Sequence, residues 1–312
     1  MKQTASSVAG GSGAATQNAS SKAASSGKAK NKKKKSSKVT SILLIVILLG
    51  GLGLLIYPTF SDYWNSFHQS RAIAGYAEAV ADIDESEYAA MWQAAVDYNT
   101  ALAKKGSRWT LTPEETKEYE SILDVSGTGI IGYIEIPSIK VELPIYHGTD
   151  EAVLQIAIGH IAGSSFPVGG ESTHCVLSGH RGLPSAKLFT NLDKLTEGDY
   201  FEIRVLNEKL TYEVDQILIV EPSDVSALGI EPGKDYCTLV TCTPYGVNTH
   251  RMLVRGHRID NFNDANSIMA TADAQLIDRN VVALCIGVPA LVLFFLRDMI
   301  TGGRRRRKRI AR

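Results

Sequence analysis

The sequence predicts a mainly β protein: an eight-stranded barrel that follows a helical extension and is flanked by two membrane-spanning helices. Three observations predict this fold. Short segments that alternate apolar and polar residues recur from residue 129 to residue 260, separated by connections containing glycine or proline. Helical periodicity dominates the residues before them. Two apolar runs near the chain ends each lie next to a basic cluster.

The first 60 residues predict a disordered tail followed by a membrane span. Residues 1–40 are rich in Ser, Ala, Gly and Lys and cannot bury a core. Residues 41–60 carry no charge and match the roughly 20 residues that a bilayer core requires. A cleaved signal peptide fits poorly, because about 40 residues precede the run and no small-x-small cleavage site follows it.

Residues 61–128 predict a helical extension. Apolar side chains recur at steps of three and four over residues 62–105, which indicates one or two amphipathic helices. A further helix is predicted to begin after Thr112, which can cap it. Pro113 suits the first helical position and Glu115 completes a capping box.

Residues 129–260 contain the segments that we expect to form the barrel. Eight short strands with turn-forming connections are typical of a closed all-β barrel. Asn207-Glu208 suggests a tight hairpin within it. The predicted strands are residues 130–136, 141–146, 174–178, 200–205, 210–214, 217–220, 236–241 and 251–255.

After the barrel, the sequence predicts a linker over residues 261–280, a second span within residues 281–300 and a basic tail over residues 301–312. The second apolar run is short, but the tail that follows favours a membrane span over a buried core helix. Residues 61–280 hold 16 basic and 32 acidic residues, whereas both chain ends are basic. The positive-inside rule therefore predicts a two-pass protein of the cell membrane, with both termini in the cytoplasm and residues 61–280 outside.

Composition excludes several classes of function. Four cysteines (Cys175, Cys237, Cys242 and Cys285) are too few for a disulfide scaffold, and the paired Cys/His spacing of a zinc site is absent from the sequence. The sequence also has no Gly-rich phosphate loop and no nucleic-acid-binding motif. We therefore expect no cofactor, no metal and no nucleic-acid partner.

Three residues suggest acyl transfer by a thiol. Cys242 ends an apolar run and precedes a Pro-Tyr-Gly turn, so its thiol is predicted at the exposed end of a strand. His180 follows another apolar strand, and Arg251 lies nine residues after the cysteine. A nearby imidazolium or guanidinium favours the reactive thiolate. The pattern leaves His250 and His257 open as rivals to His180.

Several segments resemble the sortase family. Residues 238–242, Thr-Leu-Val-Thr-Cys, match its Thr-Leu-x-Thr-Cys signature, and residues 179–184, Gly-His-Arg-Gly-Leu-Pro, resemble the segment that carries the family histidine. Residues 132–137 resemble its first barrel strand. The longer run at residues 241–251 is similar to class C, the pilin-polymerising sortases. The resemblance covers about residues 129–260.

This resemblance implies a sortase-type barrel with His180, Cys242 and Arg251 as catalytic residues. Cys242 would attack the Thr–Gly bond of a Leu-Pro-x-Thr-Gly-like sorting signal and form a thioester. His180 would transfer protons, Arg251 would stabilise the oxyanion, and Thr241 would contribute to substrate binding. The implied partners are pilins or other surface proteins with such a signal. The resemblance also implies an amine acceptor, either a pilin lysine or a cell-wall precursor, and a Gram-positive cell.

In class C sortases, an Asp-Pro-aromatic lid before the barrel usually covers the cysteine. Residues 61–128 contain no Asp-Pro, and Trp109 is the nearest aromatic candidate for a lid. Three alternatives to a pilin polymerase stay open. They are a housekeeping sortase that anchors proteins to cell-wall precursor, a membrane-tethered cysteine peptidase, and an adhesion module in which Cys242 is structural.

Cys175 and Cys237 have matching positions in the two site strands. Each lies five residues before a predicted site residue, His180 and Cys242 respectively. Because the family runs these strands in parallel, the two thiols should lie near one another at the far end. They form either a disulfide or a pair of buried thiols.

Overall fold

The computed structural model describes residues 36–105 and 108–262, and beyond them only the isolated positions 287, 290 and 297. The predicted linker and second span, most of the N-terminal tail and the C-terminal tail lie outside the described residues. The helices are α1 (Ser36–Asp82), α2 (Glu85–Ala103), α3 (Pro113–Ser121) and α4 (Glu151–Leu154). The strands are β1 (Ile130–Ile136), β2 (Val141–His147), β3 (Ile158–His160), β4 (Thr173–Ser178), β5 (Tyr200–Val205), β6 (Glu208–Val220), β7 (Asp235–Thr243) and β8 (His250–Ile259).

Helix α1 contains the first apolar run and continues to Asp82. Among the described residues, it is the one helix long and apolar enough to cross a membrane. The helix does not end at residue 60, where the span was predicted to give way to the extension. The chain divides into two compact units after Leu49. The contacts between the helical extension and the barrel lie within the second unit.

The helical extension packs on the barrel through buried polar side chains. The Asn99 amide of α2 donates to the carbonyl of Phe166 over 3.1 Å and accepts from the amide of the same residue over 2.7 Å. The Tyr76 hydroxyl of α1 donates to the carbonyl of Ile131 over 3.1 Å. Helix α3 begins with the predicted capping box at Thr112. The predicted helical character of the extension is confirmed, and it belongs to the same core as the barrel.

The eight strands close into a barrel in the order β1-β2-β3-β4-β7-β8-β6-β5. The pairs β2–β3 and β4–β7 are parallel and the remaining neighbours are antiparallel. Fully buried side chains fill the interior, among them Ile134, Leu177, Phe201, Leu239 and Val254. The predicted eight-stranded barrel is therefore confirmed.

Apart from small differences at the strand ends, the structure departs from the predicted strands in two respects. The segments predicted at residues 210–214 and 217–220 are one strand, β6, whose register shifts between Val214 and Gln216. Strand β3 was not predicted, because three residues are too few to reveal a period. The hairpin between β5 and β6 turns at residues 206–207, one residue earlier than expected.

Candidate active site

Three adjacent strands bring the predicted catalytic residues to one edge of the barrel. Cys242 in β7 lies directly opposite Arg251 in β8, and directly opposed side chains share a face of the sheet. The parallel register of β4 and β7 pairs Ser178 with Val240. His180 and Cys242 each lie two residues beyond that pair. His180 follows the end of β4 and Cys242 lies near the end of β7, so both residues, with Arg251, lie at the same end of neighbouring strands.

The register separates His180 from its two sequence rivals. His250 lies opposite Thr243, one residue from the cysteine, so its side chain projects to the other face of the sheet. His257 lies opposite Tyr236, which is six positions along β7 from Cys242, or about 20 Å at 3.3 Å per residue. Among the described histidines, His180 is the one that follows a strand paired with β7 at the end where Cys242 lies.

A carboxylate lies beside His180. The imidazole Nε2 is 3.9 Å from Oε2 of Glu151, and the histidine side chain is 28 % exposed. Glu151 begins α4, and its other oxygen accepts a hydrogen bond of 2.5 Å from Gln155 Nε2. The amide of Phe189 donates to the His180 carbonyl over 3.1 Å. Sequence reasoning missed Glu151, because nothing in its neighbourhood indicates a contact with a histidine 29 positions away.

The two arginines of β8 have different surroundings. Arg255 forms two hydrogen bonds of 3.0 Å with Asp215, as expected of a structural ion pair. Arg251 donates from Nη1 to the carbonyls of His250 and Asn248 over 3.2 and 3.4 Å. Within the described part of the chain it forms no ion pair with a carboxylate. Its charge is thus available to an anionic group above the sheet.

Thr241 and its hydroxyl are buried beneath the site. Thr241 Oγ1 donates to the carbonyl of Gly179 over 2.8 Å, and the amide of Gly179 donates to the carbonyl of Val240 over 3.0 Å. These bonds hold the segment before His180 against the segment before Cys242. Because its hydroxyl is engaged inside the protein, the substrate-binding role predicted for Thr241 stays a prediction.

Trp109 lies on the outer face of the same strands. It packs against an apolar cluster that includes Val176 of β4 and Val240 of β7. Val240 is two residues before Cys242 and therefore shares its face. Gly163 permits this approach, since a Cβ placed there would lie 2.0 Å from the Arg108 carbonyl oxygen and 3.3 Å from the Trp109 Cα. Trp109 thus covers a surface that adjoins the thiol.

Two cysteines occupy the opposite end of β4 and β7. Cys175 lies directly opposite Cys237, so the predicted proximity is confirmed. Both are buried free thiols, and burial raises the pKa of the Cys237 thiol. Their side chains are remote from Cys242, about 15 Å away along the strand. Neither thiol can contact the reacting atoms.

The described residues offer no set of side chains of the kind that a metal site requires. Over residues 36–105 and 108–262, no group of three or more His, Cys, Asp or Glu side chains is placed to hold a metal ion. The reactive groups brought together at the barrel edge are one thiol, one imidazole and one guanidinium. Such a set can carry out nucleophilic attack, proton transfer and oxyanion stabilisation.

Comparison with known proteins agrees with this geometry. Residues 134–259 match the sortase domain model. Sortase C1 from Streptococcus agalactiae is 54 % identical over 62 % of this chain and 100 % of its own, with a TM-score of 0.60. A Streptococcus pneumoniae sortase C, described for its pilin substrate specificity, is 46 % identical over 61 % and 97 %, with a TM-score of 0.56. Sortase D of Bacillus subtilis is 34 % identical over 41 % of this chain and 63 % of its own, so this chain spans less than two thirds of that curated relative.

Proposed function

Because this chain belongs to the sortase family, we propose that it is a membrane-anchored cysteine transpeptidase of the class C, pilin-polymerising type. The observation that carries the proposal is that Cys242 and Arg251 lie opposite one another on β7 and β8, while His180 follows the end of β4, the strand paired with β7 on its other side. The identity to solved class C sortases supports the pilin-polymerising type.

In the first half-reaction, the Cys242 thiolate attacks the carbonyl carbon of the threonine in a Leu-Pro-x-Thr-Gly-like sorting signal. A carbon–sulfur bond forms, and the carbonyl oxygen becomes an oxyanion. When the intermediate collapses, the bond between threonine and glycine breaks and the His180 imidazolium protonates the departing glycine amine. The products are a thioester acyl-enzyme and the released C-terminal peptide.

In the second half-reaction, an amine attacks the thioester. Neutral His180 accepts a proton from this amine, the carbon–sulfur bond breaks, and Cys242 is released as thiolate. The new bond is an amide between the threonine and the acceptor, which we propose to be a pilin lysine. A thioester suits this step, because it is open to aminolysis as well as hydrolysis.

We assign two roles to Arg251: it stabilises the oxyanion and orients the sorting signal. Arg251 lies opposite Cys242 in the strand register, and among the described residues its guanidinium is not neutralised by a carboxylate. A fixed cation beside the developing oxyanion stabilises the transition state more than the ground state. Trp109 is proposed as the lid that covers the approach to the thiol, and Thr241 as a substrate-binding residue.

The proposed membrane anchoring rests on helix α1. At the end of the apolar run and just after it, the same helix carries the exposed aromatic residues Tyr57, Phe60, Tyr63, Trp64 and Phe67. Aromatic side chains of this kind are enriched where a helix leaves the bilayer. Within the same stretch, Asp62 accepts from the amide of Lys187 over 2.8 Å, and Asn65 donates to the carbonyl of Ser185 over 2.8 Å. These bonds tie the helix to the loop after His180, which would hold the site at the outer membrane surface.

The test is a transfer assay with the full-length protein in detergent micelles. A Leu-Pro-x-Thr-Gly peptide should give a mass adduct on Cys242, and a pilin domain with an acceptor lysine should convert it into an amide-linked product. Cys242→Ala should give neither, while Cys237→Ala serves as the matched control. Hydrolysis alone, whatever the acceptor, would indicate a peptidase. Transfer to cell-wall precursor but not to pilin lysine would indicate a housekeeping sortase.

A further inference from the structure

We propose that Arg181 is a positioning residue that, through Thr243, sets the separation between His180 and Cys242. Arg181 follows the histidine, and Thr243 follows the cysteine. This inference rests on the proposed function, because it assigns a task to Arg181 within the same site.

The Arg181 side chain lies between the two loops that leave the site strands. Its side chain is only 9 % exposed. Nη1 donates to Oγ1 of Thr243 over 3.4 Å, and Nη2 donates to Oδ2 of Asp193 over 2.5 Å. The guanidinium carbon is 6.0 Å from the centre of the Tyr245 ring. One buried cation therefore contacts the loop after Cys242 and the segment after His180 together.

A second contact bridges the two segments on the other side of the site residues. Thr241, which precedes Cys242, donates to the carbonyl of Gly179, which precedes His180. The neighbours on both sides of Cys242 are thus bonded to the neighbours on both sides of the histidine. Strand pairing cannot do this alone, because β4 ends at Ser178, two residues before His180.

The contacts Thr243–Arg181–Asp193 form a bridge, called here the Arg181 bridge, and its Asp193 end is itself held in place. Asp193 lies in the 3₁₀ helix Leu188–Lys194, and the amide of Phe189 in that helix donates to the His180 carbonyl over 3.1 Å. The Tyr245 ring covers Gly182, where an added Cβ would lie 3.1 Å from a ring carbon. The ion pair therefore holds the guanidinium in one position relative to the histidine backbone.

The Arg181 contacts carry a cost in stability. Nε of Arg181 is buried and has no hydrogen-bond partner among the described residues. A buried N–H without a partner destabilises the folded state, and local violations of this kind concentrate at functional sites. The guanidinium is held by its contacts with Thr243 and Asp193 although one of its N–H groups is left without a partner.

The test compares Arg181→Gln and Arg181→Lys with the matched control Arg204→Gln in the full-length protein. Arg204 also pairs with a carboxylate, Glu135 at 2.9 Å, but on β5, across the barrel from the site. We expect Arg181→Gln to lower kcat for acyl-enzyme formation about 10²-fold, as for a misplacement of about 1 Å, with KM within about twofold. Arg181→Lys should recover part of that loss, and Arg204→Gln should match the wild type.

The pH dependence of the Cys242 alkylation rate provides a second measurement. If Arg181 only stabilised the fold, its replacement would leave this pH dependence unchanged. In Arg181→Gln this profile should approach that of His180→Ala, because the imidazole no longer aligns with the thiol. A folded Arg181→Gln variant with wild-type kcat and a wild-type profile would overturn the inference. If Arg181→Gln does not fold, Thr243→Val removes the acceptor but leaves the Asp193 pair, and an unchanged kcat and profile there would overturn it equally. Absence of any acyl-enzyme in the wild type would instead refute the proposed function, while the alkylation profiles would still test the bridge.

Discussion

Cys242 lies directly opposite Arg251 in the antiparallel pair formed by β7 and β8. A thiol and a guanidinium in this relation project from the same face, a few ångströms apart at their Cβ atoms. The guanidinium bonds only backbone carbonyls among the described residues, so its charge is not cancelled by a carboxylate. Arg255 of the same strand differs, because its guanidinium pairs with the Asp215 carboxylate.

Arg251→Ala should lower the rate of acyl-enzyme formation by about 10²–10³, as for the loss of an oxyanion donor. Arg255→Ala should lower thermal stability instead, because it leaves Asp215 without its partner of 3.0 Å. Single-turnover kinetics with a sorting-signal peptide measure the first effect. Equal rate losses in both variants would contradict the assignment of the oxyanion to Arg251.

His180→Ala should nearly abolish acyl-enzyme formation, whereas His250→Ala and His257→Ala should retain it. The reason is geometric: His180 follows the strand paired with β7 at the end where Cys242 lies. His250 projects to the other face of the sheet, and His257 lies about 20 Å away along β7. The same peptide assay measures all three variants. Loss of activity in His250→Ala, with activity kept in His180→Ala, would show that the other histidine transfers the proton.

Trp109→Ala should speed alkylation of Cys242, because it removes the ring that packs over the face adjoining the thiol. Trp92→Ala is the matched control, since Trp92 stacks on Tyr88 within α2, away from the cluster on that face. Stopped-flow alkylation with a neutral reagent measures both rates. An unchanged rate in Trp109→Ala would identify Trp109 as an ordinary packing aromatic.

His174 should make the folded protein sensitive to acid. It is buried between the Thr238 hydroxyl and the Gly229 carbonyl, each 2.7 Å from a ring nitrogen, and burial lowers its pKa from 6.5 to about 4. Between these values the unfolded chain binds a proton that the folded protein does not. The stability is therefore complete above about pH 6.5 and is lost as the pH falls to about 4, by up to about 3 kcal/mol.

Urea unfolding at several pH values between 7.5 and 4.5 measures this dependence. His174→Gln should flatten it, while the exposed His68→Gln on α1 should leave it unchanged. A His174→Gln protein that loses stability with the wild-type slope would assign the acid sensitivity to other groups.

The unreduced protein should contain free thiols at Cys175, Cys237 and Cys242. Before denaturation Cys242 should react first, because it is partly exposed whereas the other two are buried. Mass spectrometry after alkylation, with and without denaturant, measures both statements. A peptide in which Cys175 is linked to Cys237 would contradict the first, and their opposed positions in β4 and β7 make such a bond the specific alternative to test.

Local signals in the sequence were enough for several elements. The Thr112 capping box, the start of α3 and the boundaries of β1 and β5 depend on residues close in the chain, and the structure has them as predicted. Strand β3 and the continuity of β6 were not foreseen. A three-residue strand has no measurable period, and a register shift between Val214 and Gln216 interrupts the alternation that would have joined residues 210–214 to residues 217–220.

The sequence by itself determined the barrel, the helical extension and the identity of His180, Cys242 and Arg251 as candidates, because strand periodicity and short motifs are encoded by neighbouring residues. Only the tertiary structure decided which histidine stands level with the thiol, that Glu151 lies beside it, and that Arg181 reaches Thr243. These contacts join residues 29 to 62 positions apart. Their formation depends on the register of β4, β7 and β8, which backbone hydrogen bonds and core packing fix together.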